Sequence, residues 1–347
     1  MLDACLLHFI NLSDLSLQLK SADQNLRFVL LGGAGHVGLH MQAILRLIGA
    51  RMLVIDRSVE SKKINPYAEY LSCDLSLPSS LDDIFQANDI VVDLSADVGG
   101  IYYNVLAPAQ LFHNNIQITM NNLRQAAKQK VKKYLFVSSV CVYPSDAQIP
   151  IAEESSIGTE PEPTNAGYGW AKRMGEFLCA SYAQQNSLNV TIVRPTNCYG
   201  PFDQMNEQKA HVIPGLIMKA LRAEQSYQVL GQKQTTRDFL YVEDFARGCL
   251  EAAISTDQLG PYNIGTGQEF TIEDLVQIID DEVCQLTKKR VRGVFINQGL
   301  VGQSRRCVDF TKARKAFNFY PQVTLRNGIH QTIKWYYENQ SLFARSE

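Results

Sequence analysis

The chain has 347 residues, 46% hydrophobic and 20% charged, with 33 Lys and Arg against 35 Asp and Glu. This is the composition of a soluble globular protein large enough for one big domain or two modest ones. The near-neutral balance offers no basic surface to nucleic acid, and no apolar run reaches the roughly 18 residues of a membrane span. Residues 1–25 hold Leu6, Leu7, Phe9 and Ile10, yet carry Asp3 where a signal peptide would be basic and lack a small-residue cleavage site. They read as an extension before the first strand, and the protein as cytoplasmic. The eight cysteines show neither a CxxC pair nor a His at ligand spacing, which points to reduced thiols and to no metal site.

Phe28 to Leu31 is an apolar run of strand length, followed by Gly32, Gly35 and Gly38. Val37 to Ile48 then has helical periodicity through Met41, Ile44 and Leu45, and a second run, Met52 to Ile55, ends in Asp56. Strand, glycines, helix, strand and terminal acid make a dinucleotide-binding unit. The glycines permit a tight turn and close approach of a diphosphate to the helix N-terminus, beside His36 and Val37. Asp56 stands where an acid accepts from the adenosine ribose, which favours NAD over a 2′-phosphorylated cofactor, although Arg57, Lys62 and Lys63 lie nearby.

The alternation continues with strands at Tyr70–Cys73, Ile90–Leu94, Tyr134–Val137 and Val190–Val193. Between them fall helices at Leu81–Gln86, Ala109–Gln129 and Ala166–Gln185. Such alternation predicts a Rossmann-type, doubly wound parallel sheet covered on both faces. Beyond Arg194 the pattern loosens: Pro195 to Pro214 reads as loop, Tyr262–Ile264 as a strand able to return to the sheet, and Ile272–Leu286 as a helix. The expected domains are a dinucleotide-binding domain at 26–194, with a returning segment at about 242–264, and a smaller interleaved α/β substrate lobe at 195–241 and 265–340.

Tyr168 and Lys172 are spaced i, i+4, so they share one face of a predicted helix, where the ammonium can lower the phenol's pKa. Ser139, at the end of a predicted strand, would complete a site that moves one proton on and off a substrate hydroxyl.

These residues resemble the extended short-chain dehydrogenase/reductase family, in its nucleotide-sugar epimerase and reductase branch. The resemblance runs from about Arg27 to Tyr337. It rests on the glycines, Asp74-Leu75, Ser139 ahead of Tyr143, and Tyr168 with Lys172, then on Arg194-Pro-Thr-Asn-Cys-Tyr-Gly-Pro201, Thr236-Arg-Asp-Phe-Leu-Tyr-Val-Glu-Asp244 and Tyr262-Asn-Ile-Gly-Thr-Gly267. Three segments, Ser95–Ile101, Ser138–Pro144 and Glu162–Tyr168, look like those of GDP-fucose synthases and GDP-mannose 3,5-epimerases. The resemblance implies Ser139, Tyr168 and Lys172 as hydride-transfer residues, with Cys141 and His211 as the acid–base pair that inverts C3 or C5 of a 4-keto sugar. Lys209 stands near the place where the 3,5-epimerases carry a lysine.

For the cofactor it implies Gly32, Gly35, His36, Val37, Gly38, Asp56, Asp74, Leu75, Ser95, Ala96 and Pro195 beside Tyr168 and Lys172. For the substrate diphosphate and sugar it implies Gly99, Gly100, Asn197, Arg237 and Arg305; Tyr143 and Trp170 read as residues that only line the pocket. The expected activity is an NAD-dependent nucleotide-sugar epimerase, homodimeric through the helices at Ala109–Gln129 and Ala166–Gln185. A simple 4-epimerase, an epimerase-reductase and a silent NAD-binding regulator are the alternatives. Val140 and Cys141 stand where dehydratases and decarboxylases carry an acid, which argues against those reactions.

Overall fold

The computed structural model describes residues 26–59, 65–204, 206, 210–296, 298 and 302–339. The extension at 1–25, Lys62, Lys63 and Lys209 lie outside the described residues. The first half alternates as predicted: β1 (Arg27–Leu31), α1 (His36–Leu47), β2 (Arg51–Asp56), β3 (Glu69–Ser72), β4 (Asp89–Asp93), α2 (Ile101–Leu106) and α3 (Pro108–Lys128). Then come β5 (Lys133–Val137), α4 (Ala166–Asn186) and β6 (Val190–Pro195). The second half holds β7 (Asn197–Tyr199), α5 (Val212–Arg222), β8 (Ser226–Leu230), β9 (Thr236–Arg237), β10 (Phe239–Tyr241), α6 (Val242–Ser255) and β11 (Tyr262–Ile264). It closes with β12 (Phe270–Thr271), α7 (Ile272–Thr287), β13 (Arg292–Ile296), α8 (Thr311–Phe317) and α9 (Leu325–Glu338).

Seven strands form one sheet in the order β3-β2-β1-β4-β5-β6-β11. Every pair is parallel, with Phe28 in register with both Met52 and Ile90. Side chains alternate across the sheet. Phe28 and Leu30 pack with Met41, Ile44, Phe245 and Leu250 of α1 and α6, while Val29 and Leu31 pack with Leu123 and Cys179 of α3 and α4. The order reverses between β1 and β4, and ligands bind at the carboxyl ends of strands beside such a reversal. A second core joins α5, α7 and α9 through Ile213, Ile217, Leu275, Ile279 and Ile329. No helix among the described residues is long and apolar enough to cross a membrane.

The predicted helix at Leu81–Gln86 is instead a series of turns, with Asp83 at φ +58°. Its backbone is satisfied by α3's neighbour Gln129, which accepts from the Phe85 N–H at 2.6 Å and donates to the Leu81 carbonyl at 3.1 Å. A side chain from a distant segment thus replaces helical hydrogen bonds.

Candidate active site

The turn after β1 is built for close approach. Gly32 has φ +71°, and a Cβ there would lie 2.9 Å from the Ser95 Cα at the neighbouring strand end. A Cβ on Gly38 would collide with the Gly33 carbonyl, so α1 packs directly on the turn. Gly35 caps α1 without any side-chain hydrogen bond, leaving the first-turn amides for an anion. At the end of β2 the Asp56 carboxylate accepts from the Ala34 N–H at 3.1 Å, tying the second strand to the glycine turn. Asp74, past β3, is exposed; the Ser76 hydroxyl and N–H hold its carboxyl below the ordinary range. Ser95 donates to Asp93, which also receives the Tyr134 hydroxyl and the Asn122 amide. These residues fit a dinucleotide: a side-chain-free turn, a bare helix N-terminus and a carboxylate at the second strand end.

Above them opens a cleft of about 1090 Å³. Gly35, His36, Val37, Gly38, Ala96 and Pro195 line it, whereas Gly32, Asp56, Asp74, Leu75 and Ser95 lie outside its wall. Ser139, Cys141, Tyr168, Lys172 and His211 all line this same cleft. Ser139 leaves β5 in extended conformation, and its Oγ accepts the Cys141 N–H at 3.1 Å, capping the short turn Val140–Val142. That contact uses an oxygen lone pair and leaves the hydroxyl proton available to donate. A Cβ on Gly169 would lie 2.5 Å from the Cys141 carbonyl, so this glycine lets α4 dock on the turn that carries the thiol. Behind Ser139, Ser138 donates to Glu176 of α4, which also receives a bidentate Arg194.

The helical spacing does bring Lys172 to the Tyr168 face, with its Nζ 5.6 Å from the phenol ring centroid. The expected lowering of the phenol's pKa is not found in this arrangement. Burial, with Cys141 adding to it, holds Tyr168 above its ordinary value. Lys172 donates at 2.8 Å to the Val137 carbonyl and lies 4.9 Å from the Phe136 ring centroid. Burial favours its neutral form as well. Desolvation disfavours both charged forms, and the ammonium is directed to backbone rather than to the phenol oxygen.

His211 caps α5, and its Nδ1 lies 3.3 Å from Asp203 Oδ1. Desolvation disfavours its imidazolium, but the Asp203 carboxylate outweighs this and holds the histidine above its ordinary value. His36 is held below its ordinary value by burial, against the pull of Asp203. It turns to Asp203 rather than to solvent, with Nδ1 3.7 Å from Oδ1.

On the far wall Asn197 donates to the Asp238 carbonyl at 3.0 Å. Gly99 and Gly100 present carbonyls to the Asn104 amide, whose Oδ1 is buried without a partner among the described residues. Arg237 lines the cleft, its pKa lowered to about 10 by burial and by the neighbouring Arg306. Arg305 does not line it: that side chain is 58% exposed and pairs with Glu269. Its neighbour Arg306 does line the cleft beside Arg237, 6% exposed, with Nε on Gln303 at 2.9 Å and NH2 3.9 Å from Glu162. Extended backbone sends adjacent side chains to opposite faces, so the pair Arg305-Arg306 could not reveal which one faces inward. Tyr143 and Trp170 do not line the cleft either. Tyr143 is buried, donating to Asn263 at 2.5 Å and accepting from Arg194, and Arg173 stacks 5.4 Å from Trp170. Asp203, Asn104 and Arg306 escaped the sequence reading; the acid following Tyr199-Gly-Pro-Phe was the only local signal for the first.

Sheet order, glycine turn and a Ser, Tyr and Lys converging on one cleft define a dinucleotide-dependent enzyme of the extended short-chain dehydrogenase/reductase type. A family model described as the NAD dependent epimerase/dehydratase family matches residues 28–265, and the chain belongs to that family. Probable GDP-L-fucose synthase 1 of Oryza sativa subsp. japonica is 33% identical over 313 residues, 88% of this chain and 91% of its own. GDP-L-fucose synthase of Escherichia coli (strain K12) is 31% identical over 326 residues, 89% and 97% of the two chains. Among solved structures, the UDP-glucose 4-epimerase of Thermotoga maritima with UDP-glucose superposes with a TM-score of 0.80 at 25% identity, covering 90% and 99%. A GDP-L-fucose synthetase from Naegleria fowleri bound to NADP gives 0.78 at 23%, covering 92% and 96%, a likeness of fold.

Proposed function

We propose that the protein is an NAD-dependent nucleotide-sugar epimerase that inverts C3 or C5 of a transient 4-keto sugar. The observation that carries this reading is the convergence of Cys141 and His211 on the cleft lined by Ser139, Tyr168 and Lys172. The glycine turn, Asp56 and Lys172 would hold the cofactor, which when bound takes hydride from C4 of the sugar and returns it. Tyr168 would take the 4-OH proton, with Lys172 one helical turn away on the same face of α4 and its Nζ 5.6 Å from the phenol ring centroid. Ser139 donates its free hydroxyl proton to the forming ketone. A C4 ketone acidifies the hydrogens on C3 and C5, and Cys141 and His211 then remove and add a proton on opposite faces. Arg237 and Arg306 converge where the substrate diphosphate would lie, and a guanidinium fork suits phosphate oxygens.

A second reading is an epimerase-reductase, favoured by the names of the curated relatives at 31% and 33% identity. Asp56 separates the two, because a carboxylate accepts from ribose hydroxyls and repels a 2′-phosphate. Exposed apolar side chains on α3 and α4, Met120 at 51% and Phe177 at 66%, support a homodimer across these helices. The seven described cysteines are unpaired, in keeping with a cytoplasmic protein. The test is proton NMR in deuterated water with a panel of GDP- and UDP-hexoses and their 4-keto derivatives. Deuterium at C3 or C5 is the expected result. Inversion at C4 without exchange would replace this reading with a simple 4-epimerase, and consumption of added NADPH with a reduced product would select the second.

A further inference from the structure

Behind His211 the wall of the cleft holds a buried carboxylate that faces two imidazoles. Asp203 follows β7 with its side chain 3% exposed. Its Oδ1 accepts from the Gln204 N–H at 2.7 Å and lies 3.3 Å from His211 Nδ1 and 3.7 Å from His36 Nδ1. Oδ2 of Asp203 and Nε2 of His36 are both buried and without hydrogen-bond partners among the described residues. His36 is the first residue of α1 and His211 the N-cap of α5, so each imidazole sits at the positive end of a helix. That position disfavours an imidazolium. A carboxylate placed against Nδ1 offsets the helix and orients the ring.

Other groups face this cluster. Cys198 on β7 and Tyr336 on α9 surround Asp203, and the Tyr336 hydroxyl donates to the Asp203 carbonyl at 3.3 Å. Burial holds both well above their ordinary values, so they stay neutral near pH 7. His36 shares the Asp203 carboxylate, and His40 packs behind it, 6.0 Å from His36 and from Phe202 ring to ring, with Nε2 3.2 Å from the Pro201 carbonyl. Asp203 therefore acts chiefly on histidine.

We propose that Asp203 is the positioning residue of the acid–base pair: it holds neutral His211 as the Nδ1–H tautomer, leaves Nε2 for the substrate, and favours the protonated ring. This rests on reading His211 as an acid–base group, and it assigns that group's orientation and charge to a residue that need not touch substrate. An Nδ1–H anchored on a carboxylate makes Nε2 the basic nitrogen, the arrangement that acid–base histidines use on unrelated folds.

The test uses cofactor-loaded protein labelled with 15N-histidine, in which the His211 signals are assigned by their loss in His211→Asn. In the parent, neutral His211 is expected to show the Nδ1–H pattern. In Asp203→Asn, which keeps the shape and removes the charge, its titration midpoint is expected to fall by about one unit or more. The limb of the pH profile for deuterium exchange at C3 or C5 should move with it. An Nε2–H tautomer in the parent overturns the proposal, as does an unchanged midpoint in the variant. The tautomer is read on the parent, so the result does not depend on the variant folding. Absence of exchange in the parent would remove the epimerase reading while the titration still decides the role of Asp203.

Discussion

Replacing Glu176 by Ala should show how the site is braced. Its carboxylate receives Arg194 Nε at 2.8 Å and NH2 at 2.6 Å, and the Ser138 hydroxyl at 2.5 Å. The guanidinium is 4% exposed and the carboxylate 13%, so solvent cannot replace either partner. Arg194 keeps its contacts to the Tyr143 hydroxyl at 3.0 Å and the Glu153 carbonyl at 2.8 Å, but both are neutral. Burial alone would disfavour the charged guanidinium, and it is Glu176 that reverses this. Removing one partner of such a pair costs roughly 3–5 kcal/mol, a large part of the ~5–15 kcal/mol that typically separates folded from unfolded states. The assay is urea unfolding of Glu176→Ala, Arg194→Met and the double variant, all at one fixed cofactor concentration. Each single variant should lose ~3–5 kcal/mol, and the double variant clearly less than their sum, because it leaves no unpaired charge. Strict additivity, or a loss under ~1 kcal/mol for Glu176→Ala, would refute the buried-pair argument.

The remaining expectations concern function and pH. Protein purified without added cofactor should release NAD(H) on heat denaturation, read by mass spectrometry; NADP(H) in its place would sink the Asp56 argument. Tyr168→Phe should abolish both hydride transfer and exchange at C3 or C5. Cys141→Ser should lower epimerisation ~10²–10⁴-fold while single-turnover reduction of bound cofactor persists, and parental epimerisation would exclude the thiol. Light scattering across a dilution series should report a homodimer, and a monomer at micromolar concentration would count against the apolar faces of α3 and α4. His211 is held above its unfolded value near ~6.5, so its pairing with Asp203 stabilises fully below that pH and is lost as pH rises through the folded pKa. Between pH 6 and 8.5 the parent's urea midpoint should therefore fall more than that of His211→Asn; equal falls would contradict the shift.

The dinucleotide unit was legible because its signals are local. An apolar run, glycines at the turn, helical periodicity and a terminal acid each act within a few residues, and the structure places β1, α1 and β2 where they point. The same holds for Tyr168 and Lys172, whose shared face follows from helical geometry alone. Tertiary structure decided what depends on surroundings supplied by distant segments. Gln129 replaced the helix expected at Leu81–Gln86, and Arg306 rather than Arg305 faced the cleft. The phenol of Tyr168 lies above its ordinary value because it is buried, with Cys141 adding to this, while the Lys172 hydrogen bond goes to Val137. Asp203 meets His36 and His211 only because the turn after β7 folds back against the start of α1. Periodicity reports the face on which a side chain lies, but desolvation and charge pairing belong to the assembled interior.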